Sequence, residues 1–321
     1  MWMLSNSGCL KENSILQLNS LHNILLVCHD AGGAEVVSSW VRRNRGPECS
    51  FLLEGPAVHI FKRKLGAINL VGTDVLSNAA TAAFDFILTG TGWASDLEKR
   101  AVRFGKSADI PTASFLDHWC NYLPRFQQGD EYIFPDEIWV GDDDACQMAR
   151  SCFPDEIVRL IPNPYFMDVK EEFEKLDTIA DDSDEWRILY VCEAIAESGR
   201  KLPSGELIEY RSLELFFDHL ENIVDKSDAI SVRLRPHPAE SQDKYSQFLS
   251  SGRTVNVGLS TGTSLIEDCA WADWVVGMNS MALIIARIGG KRVFYCNLEG
   301  ARPKSLPVSG MENFLDTTDP K

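Results

Sequence analysis

The hydrophobic positions of this chain fall into short runs separated by stretches of helical spacing. Asn23-Ile-Leu-Leu-Val-Cys28 is such a run, apolar on both faces as a strand inside a parallel sheet is. It leads through Ala31-Gly-Gly-Ala34 into a helix with Val36, Val37, Trp40 and Val41 on one side. Arg42, Arg43 and Arg45 crowd the end of that helix, and Gly46-Pro47 stops it. Further strands are expected at 50–54, 67–71, 84–89, 112–117 and 137–140, with helices between them. Ser95-Asp-Leu-Glu98 has the spacing of a capping box, followed by Leu97, Ala101 and Phe104 at helical intervals.

A second series begins with a strand at 187–192 and a long loop over 193–209. Ser212 is expected to cap an amphipathic helix whose stripe is Leu213, Phe216, Phe217, Leu220, Ile223 and Val224. Residues 231–235 alternate apolar and polar, which puts Arg233 and Arg235 on one strand face. The strand then breaks at Pro236-His237-Pro238, so His237 is held on a fixed loop just past a strand's carboxyl end. Ligands of open α/β sheets bind at that edge. A strand at 273–277 runs into Asn279-Ser280, where Ser280 is placed to cap the helix 281–288, and a strand at 292–296 follows. Ser264-Leu-Ile-Glu267 is a second capping-box pattern.

This alternation predicts an α/β fold of two Rossmann-like parallel-sheet domains covered on both faces. The boundaries read as a leader 1–22, a first domain 23–166 closed by Ile161-Pro-Asn-Pro164, an acidic linker 167–186, a second domain 187–300 and a tail 301–321. The tail, where the pattern weakens, is expected to pack back on the first domain or to lack order.

Length and charge narrow the picture. The 321 residues suffice for two cores, and 45% apolar with 24% charged residues is a soluble globular composition. A net charge of −16 argues against a nucleic-acid partner, since phosphate backbones need a basic surface. Nine cysteines without a C-x-x-C predict reduced thiols and a cytoplasmic location. No apolar run approaches the ~20 residues of a membrane span, and the leader lacks the apolar core of a signal peptide.

Two motifs invite a ligand and are read with care. The turn Gly32-Gly33 lacks a complete G-x-G-x-x-G, so no dinucleotide fingerprint is present, and packing accounts for it as well as a ligand does. Asp142-Asp-Asp144 resembles a metal-binding acidic run, but it opens a helix whose amino end attracts carboxylates. No metal and no cofactor are expected.

Two Rossmann-like halves, a proline-rich hinge and Pro236-His237-Pro238 with Asn279-Ser280 resemble the GT-B glycosyltransferases. They are similar, more narrowly, to bacterial sialyltransferases and related capsule-polysaccharide transferases with His-Pro and Ser motifs. The segment 277–290 also resembles the donor segment of GT-B enzymes more widely, UDP-sugar 2-epimerases included. The resemblance implies two domains facing a cleft and a CMP-activated sugar whose phosphate is held by His237, Asn279 and Ser280. Arg233 or Arg235 would add charge there. It implies a base in the first domain, where Phe115-Leu-Asp-His-Trp119 stands at the matching place. There Asp117 fits the acidic position, while His118 and Trp119 replace the acid and glycine of those families. Asp30, after His29, is the competing base. Gly32, Gly33, Gly90, Thr91, Gly92, His118 and Trp119 would form acceptor-side loops. Apart from the resemblance, Trp119, Tyr122 and Phe126 suit an acceptor wall, since sugars stack on flat apolar faces, though core packing accounts better for each of them. The chemistry is coherent without a metal: histidine, arginine and helix amino-terminal N–H groups stabilise the leaving phosphate while a carboxylate deprotonates the acceptor.

The function this implies is a metal-independent glycosyltransferase of surface-polysaccharide assembly, with a nucleotide sugar and a glycan acceptor as partners. An epimerase or hydrolase of a nucleotide sugar, or a non-catalytic nucleotide-sugar-binding protein, would share the fold.

Overall fold

The computed structural model describes residues 21–77, 84–154, 157–176, 185–224, 229–241, 243–249, 255–261, 264–298, 305–307 and 309–318. All but the last two residues of the expected leader lie outside this set, as do residues 177–184 of the expected linker. The chain divides into two compact units that part between Tyr165 and Phe166.

Unit 1 runs β1 (Asn23–Cys28), α1 (Ala31–Arg43), β2 (Glu48–Leu53), α2 (Ala57–Leu65), β3 (Phe86–Thr89), α3 (Leu97–Ser107), β4 (Thr112–Leu116), α4 (Tyr122–Arg125), a small hairpin of β5 (Gln127–Gln128) and β6 (Glu131–Tyr132), β7 (Glu137–Val140), α5 (Asp143–Cys152) and β8 (Val158–Leu160). Its six-stranded sheet has the order β2-β1-β3-β4-β7-β8 with every neighbouring pair parallel. The apolar run of β1 is buried on both faces. Ile24, Leu26 and Cys28 pack with Val36, Val37, Trp40 and Phe61, while Leu25 and Val27 pack with Leu97, Ala101 and Phe104. Each such side chain contributes about 1.5–3 kcal/mol by burial, so a polar residue on either face of β1 would be costly.

The strand expected at 67–71 is reduced to a single parallel bridge, Leu70 with Phe51 on the sheet edge. Leu70 is 44% exposed, so this edge buries too little apolar surface to extend the pairing.

Helix α6 (Pro164–Lys175) leads from unit 1 into unit 2 and occupies the first part of the expected linker. Unit 2 then runs β9 (Trp186–Val191), α7 (Ile208–Ile223), β10 (Ile230–Arg235), α8 (Ser246–Leu249), β11 (Asn256–Leu259), α9 (Leu265–Trp271), β12 (Trp274–Gly277), α10 (Met281–Ile288), β13 (Arg292–Tyr295) and β14 (Glu312–Asn313). Its sheet, β11-β10-β9-β12-β13-β14, is parallel throughout and has the 3-2-1-4-5-6 order of dinucleotide-binding folds. Two Rossmann-like parallel units in one chain make this a GT-B-like α/β fold.

The described part of the tail belongs to unit 2. Strand β14 pairs with β13, and Phe314 is fully buried against Phe216, Trp274 and Phe294 of unit 2. Ser212 is not a cap: α7 starts four residues earlier, and the buried Ser212 hydroxyl donates to the Cys296 carbonyl at 2.6 Å. Both units brace their first strand in one way. Asp85, just before β3, accepts the His22 and Asn23 N–H groups, and Asp273, just before β12, accepts that of Arg187.

In each unit the chain leaves its first strand for one side of the sheet and later returns to the other. The switch points are therefore β1/β3 and β9/β12, and the loops at their carboxyl ends are where ligands are expected.

Candidate functional site

At the carboxyl edge of unit 1, β1 ends in His29 and Asp30 and β3 in Gly90, Thr91, Gly92 and Trp93. Helix α1 and the β3 loop touch backbone to backbone. A Cβ on Gly33 would lie 3.0 Å from the Gly90 Cα, so two glycines let these segments meet. Gly32 packs against the Asp117 carboxylate and Gly92 against that of Asp30. Asp30 is the residue before α1 but does not cap it. Its Oδ1 lies 2.7 Å from His29 Nδ1, and its Oδ2 accepts the Trp93 N–H at 3.1 Å. A carboxylate can only accept, so Nδ1 carries the proton and Nε2 is the basic end of the ring. Gly55, at φ +54°, faces that nitrogen, and a Cβ there would stand 2.8 Å from it.

Beneath this pair lies Glu98. The sequence pattern made it the reciprocal member of a capping box, but α3 has no such box: Ser95 accepts the Leu97 N–H alone. Glu98 turns inward and takes the His29 backbone N–H at 2.7 Å. Its second oxygen is buried without a hydrogen-bond partner. Burial pushes the Glu98 carboxyl above its usual pKa, against the pull of backbone N–H groups, with Asp30 adding to the rise.

Asp117, at the end of β4, is held differently. Arg125 of α4 donates to Asp117 Oδ1 at 2.6 Å and to the Thr91 hydroxyl at 2.9 Å, and the guanidinium is buried. His118 accepts the Trp119 N–H on Nδ1. Burial drives the His118 pKa below its usual value, opposed by Asp117 and aided by Arg125. Trp119 donates its indole N–H to Asp142 at 3.0 Å, and Asp142 caps α5 by accepting the Ala145 N–H. The first aspartate of the acidic run is thus engaged as a cap.

Of the two readings open to the aromatic cluster, core packing is the one that holds. Trp119, Tyr122 and Phe126 are 4%, 3% and 2% exposed. The aromatic residue open at this edge is Trp93, 52% exposed, with the Arg125 guanidinium 5.5 Å from its ring.

At the carboxyl edge of unit 2, β10 delivers His237 into an exposed turn. The Ala239 N–H donates to His237 Nδ1 at 3.1 Å, which leaves the ring proton on Nε2. Ser280 caps α10 by accepting from Ala282 at 3.2 Å. Asn279 is bound on both ends of its amide by Ser305. Its backbone N–H goes to Glu193, a residue the sequence reading passed over. Glu193 follows β9 as His29 and Asp30 follow β1, so the strand-end rule applied to the first strand of each unit would have found it. Burial raises the Glu193 pKa against backbone hydrogen bonds and Arg200.

Arg233 and Arg235 do share a face, but that face is turned to α9. Both guanidinium groups bond the fully buried Asp268, with Ser260 as a further donor to it, and Arg233 stacks 3.9 Å over Trp271. The two guanidinium groups share this one carboxylate and tie α9 to the sheet. Ser264 forms the predicted capping box with Glu267 at the start of that helix.

No protein-family model matches this sequence, and no curated protein does. Solved structures do match in fold. Anabaena HepE in complex with UDP superposes with a TM-score of 0.51 at 11% identity, over 85% of this chain and 80% of that one. UDP-GlcNAc 2-epimerase from Neisseria meningitidis bound to UDP-GlcNAc gives 0.55 at 11% identity, over 87% and 83%. The S. aureus MnaA structure with UDP gives 0.53 at 11%, over 85% and 79%. At these identities the likeness is one of fold.

Proposed function

We propose that this chain is a nucleotide-sugar-dependent enzyme, a glycosyltransferase that binds the nucleotide on unit 2 and activates the acceptor on unit 1. The observation that carries the reading is the His237 turn. Its Nδ1 is fixed by a backbone N–H, so Nε2–H is a ready donor to a phosphate at the edge where such folds bind ligands. Ser280 and the amino end of α10 follow β12, which flanks β9 on the side opposite β10, and would add donors. Solved structures of similar fold carry UDP or UDP-GlcNAc, which favours a uridine nucleotide beside the CMP donor expected from the motifs.

For the base, Asp30 with His29 is better placed than Asp117. Proton uptake by Asp117 would leave the buried Arg125 charge without its partner, whereas Asp30 holds His29 with Nε2 as the acceptor. Trp93, exposed beside them, suits an acceptor sugar ring. The reaction needs no metal on this reading, and activity should survive EDTA.

Melting temperatures with CMP, CDP, UDP, UMP, GDP and NAD test the first step, since a ligand of the native state raises them. A chain that no cytidine or uridine nucleotide stabilises is not this enzyme. The likeness to UDP-GlcNAc 2-epimerase favours epimerisation as the second reading. Conversion of UDP-GlcNAc to its 2-epimer without an acceptor, the nucleotide still attached to the sugar in the product, would select it over transfer.

A further inference from the structure

The His-Pro turn is attached to a partly buried charge cluster that plays no part in the reading above. Glu240, whose side chain is fully buried, divides its oxygens: Oε2 accepts the His237 N–H at 2.7 Å, and Oε1 accepts Lys244 Nζ at 2.6 Å and the Tyr245 hydroxyl at 2.9 Å. Lys244 Nζ also donates to Glu209 Oε1 at 2.7 Å and to Glu197 at 3.1 Å. Glu209 Oε1 in turn accepts the Ala196 N–H. One ammonium with three N–H donors therefore joins three carboxylates, on the His-Pro turn, on the loop after β9 and on α7.

The three carboxylates come within 4.8 Å of one another, a spacing that would gather a cation. The chain supplies that cation itself. Burial acts to lower the Lys244 pKa, but the hydrogen bonds it donates to Glu209, Glu240 and Glu197 carry it above its usual value. The cluster is acidic in excess, and Glu209 Oε2 is buried without a hydrogen-bond partner. Loss of the ammonium would set like charges against one another in a poorly screened place, and the segment freest to yield is the exposed turn that carries His237.

We propose that Lys244 is a positioning residue for nucleotide binding, holding the His-Pro turn through Glu240 so that His237 presents Nε2–H to the donor phosphate. This rests on the assignment of His237 as a phosphate donor. If it holds, the two side chains act as one device and their losses do not add.

The test is a double-mutant cycle on UDP and CMP affinity, measured by calorimetry on the full chain. His237→Ala and Lys244→Met should each weaken the nucleotide that binds by about tenfold, a hydrogen bond to a charged group. The double variant should bind no more weakly than either single one. Glu240→Gln, which can still accept the His237 N–H but loses the ionic tie to Lys244, should show a smaller loss that also vanishes in the His237→Ala background. It decides the matter if Lys244→Met does not fold. Losses that multiply, or a folded Lys244→Met chain that binds as wild type does, overturn the Lys244 role and leave the donor site standing. A His237→Ala chain with unchanged affinity, or a wild-type chain that binds neither nucleotide, removes the donor site itself.

Discussion

Arg125 Nη1 lies 2.6 Å from Asp117 Oδ1, with the two side chains 5% and 13% exposed. An ion pair at that depth is a structural commitment, because removing either member leaves a buried charge. Asp117→Asn should therefore destabilise unit 1 by about 3 kcal/mol or more. Asp30→Asn, at a more exposed site, should leave the melting temperature nearly unchanged and lower turnover by about 10²–10⁴. Paired melts and rate measurements separate the two carboxylates. An Asp117→Asn protein with normal stability and a collapsed rate would restore Asp117 as the base.

Asp268 gives a prediction with a pH sign. Burial works to raise its pKa, but Ser260, Arg233 and Arg235 outweigh that and hold it below its usual value. A carboxyl whose folded pKa is depressed contributes its stability above the unfolded value of about 3.9 and loses it as pH falls through the folded value. Asp268→Asn should cost about 3 kcal/mol at neutral pH, and its gap to wild type should close in acid. Urea titrations from pH 7 to well below the unfolded value of about 3.9 follow the gap as it narrows. Arg233→Ala should share the loss of stability while nucleotide affinity stays within twofold of wild type, roughly what loss of a structural contact allows. A tenfold loss of affinity in a stable Arg233→Ala chain would return that arginine to the phosphate.

Glu98 has the opposite sign. Its raised pKa means that the folded state holds the proton more tightly than the unfolded one. The stability it contributes is full below the unfolded value of about 4.3 and is lost as pH rises through the folded value. Glu98→Gln keeps an acceptor for the His29 N–H and removes the titration. The difference in stability between the two proteins should shift in favour of the variant as pH rises from 4 to 8. A constant difference across that range would show that the carboxyl is not displaced by its burial.

What the sequence made legible was whatever is decided within one element. Apolar runs such as 24–28 and 274–276 are buried on both faces, so composition alone marks them as interior parallel strands. Caps formed over three residues, as at Ser264, Ser280 and Asp142, were readable for the same reason. What failed needed a partner far along the chain. Ser95 and Glu98 have capping-box spacing, but the N–H that Glu98 takes belongs to His29, 69 residues away. Arg233 and Arg235 alternate as expected, yet nothing local reveals that Asp268 lies opposite them. Trp119, for which core packing was the better reading from sequence, is core, but its indole partner Asp142, 23 residues on, was not legible. The tail gave no pattern because β14 is two residues long and its buried apolar residues, Leu306, Met311 and Phe314, follow neither a strand nor a helix period.

Trp93 completes the division of labour. Its backbone N–H is fixed by Asp30 and its ring is exposed above Arg125, so it is held in place without being part of the core. Flat apolar faces of this kind stack on sugar rings, and covering about 40 Å² of such a face at roughly 25 cal/mol per Å² contributes about 1 kcal/mol. Trp93→Ala should raise the acceptor KM roughly three- to tenfold, leave nucleotide affinity unchanged and leave kcat nearly so. Trp119→Phe is the control from the buried cluster. It removes the indole N–H from Asp142 and should lower the melting temperature by several degrees, since about 1 kcal/mol shifts a domain of this size by roughly 2–4 °C. Its acceptor KM should not move. If Trp93→Ala alters nucleotide binding and not the acceptor KM, the acceptor site lies elsewhere on unit 1, and the pairing of Trp93 with the His29–Asp30 base falls with it.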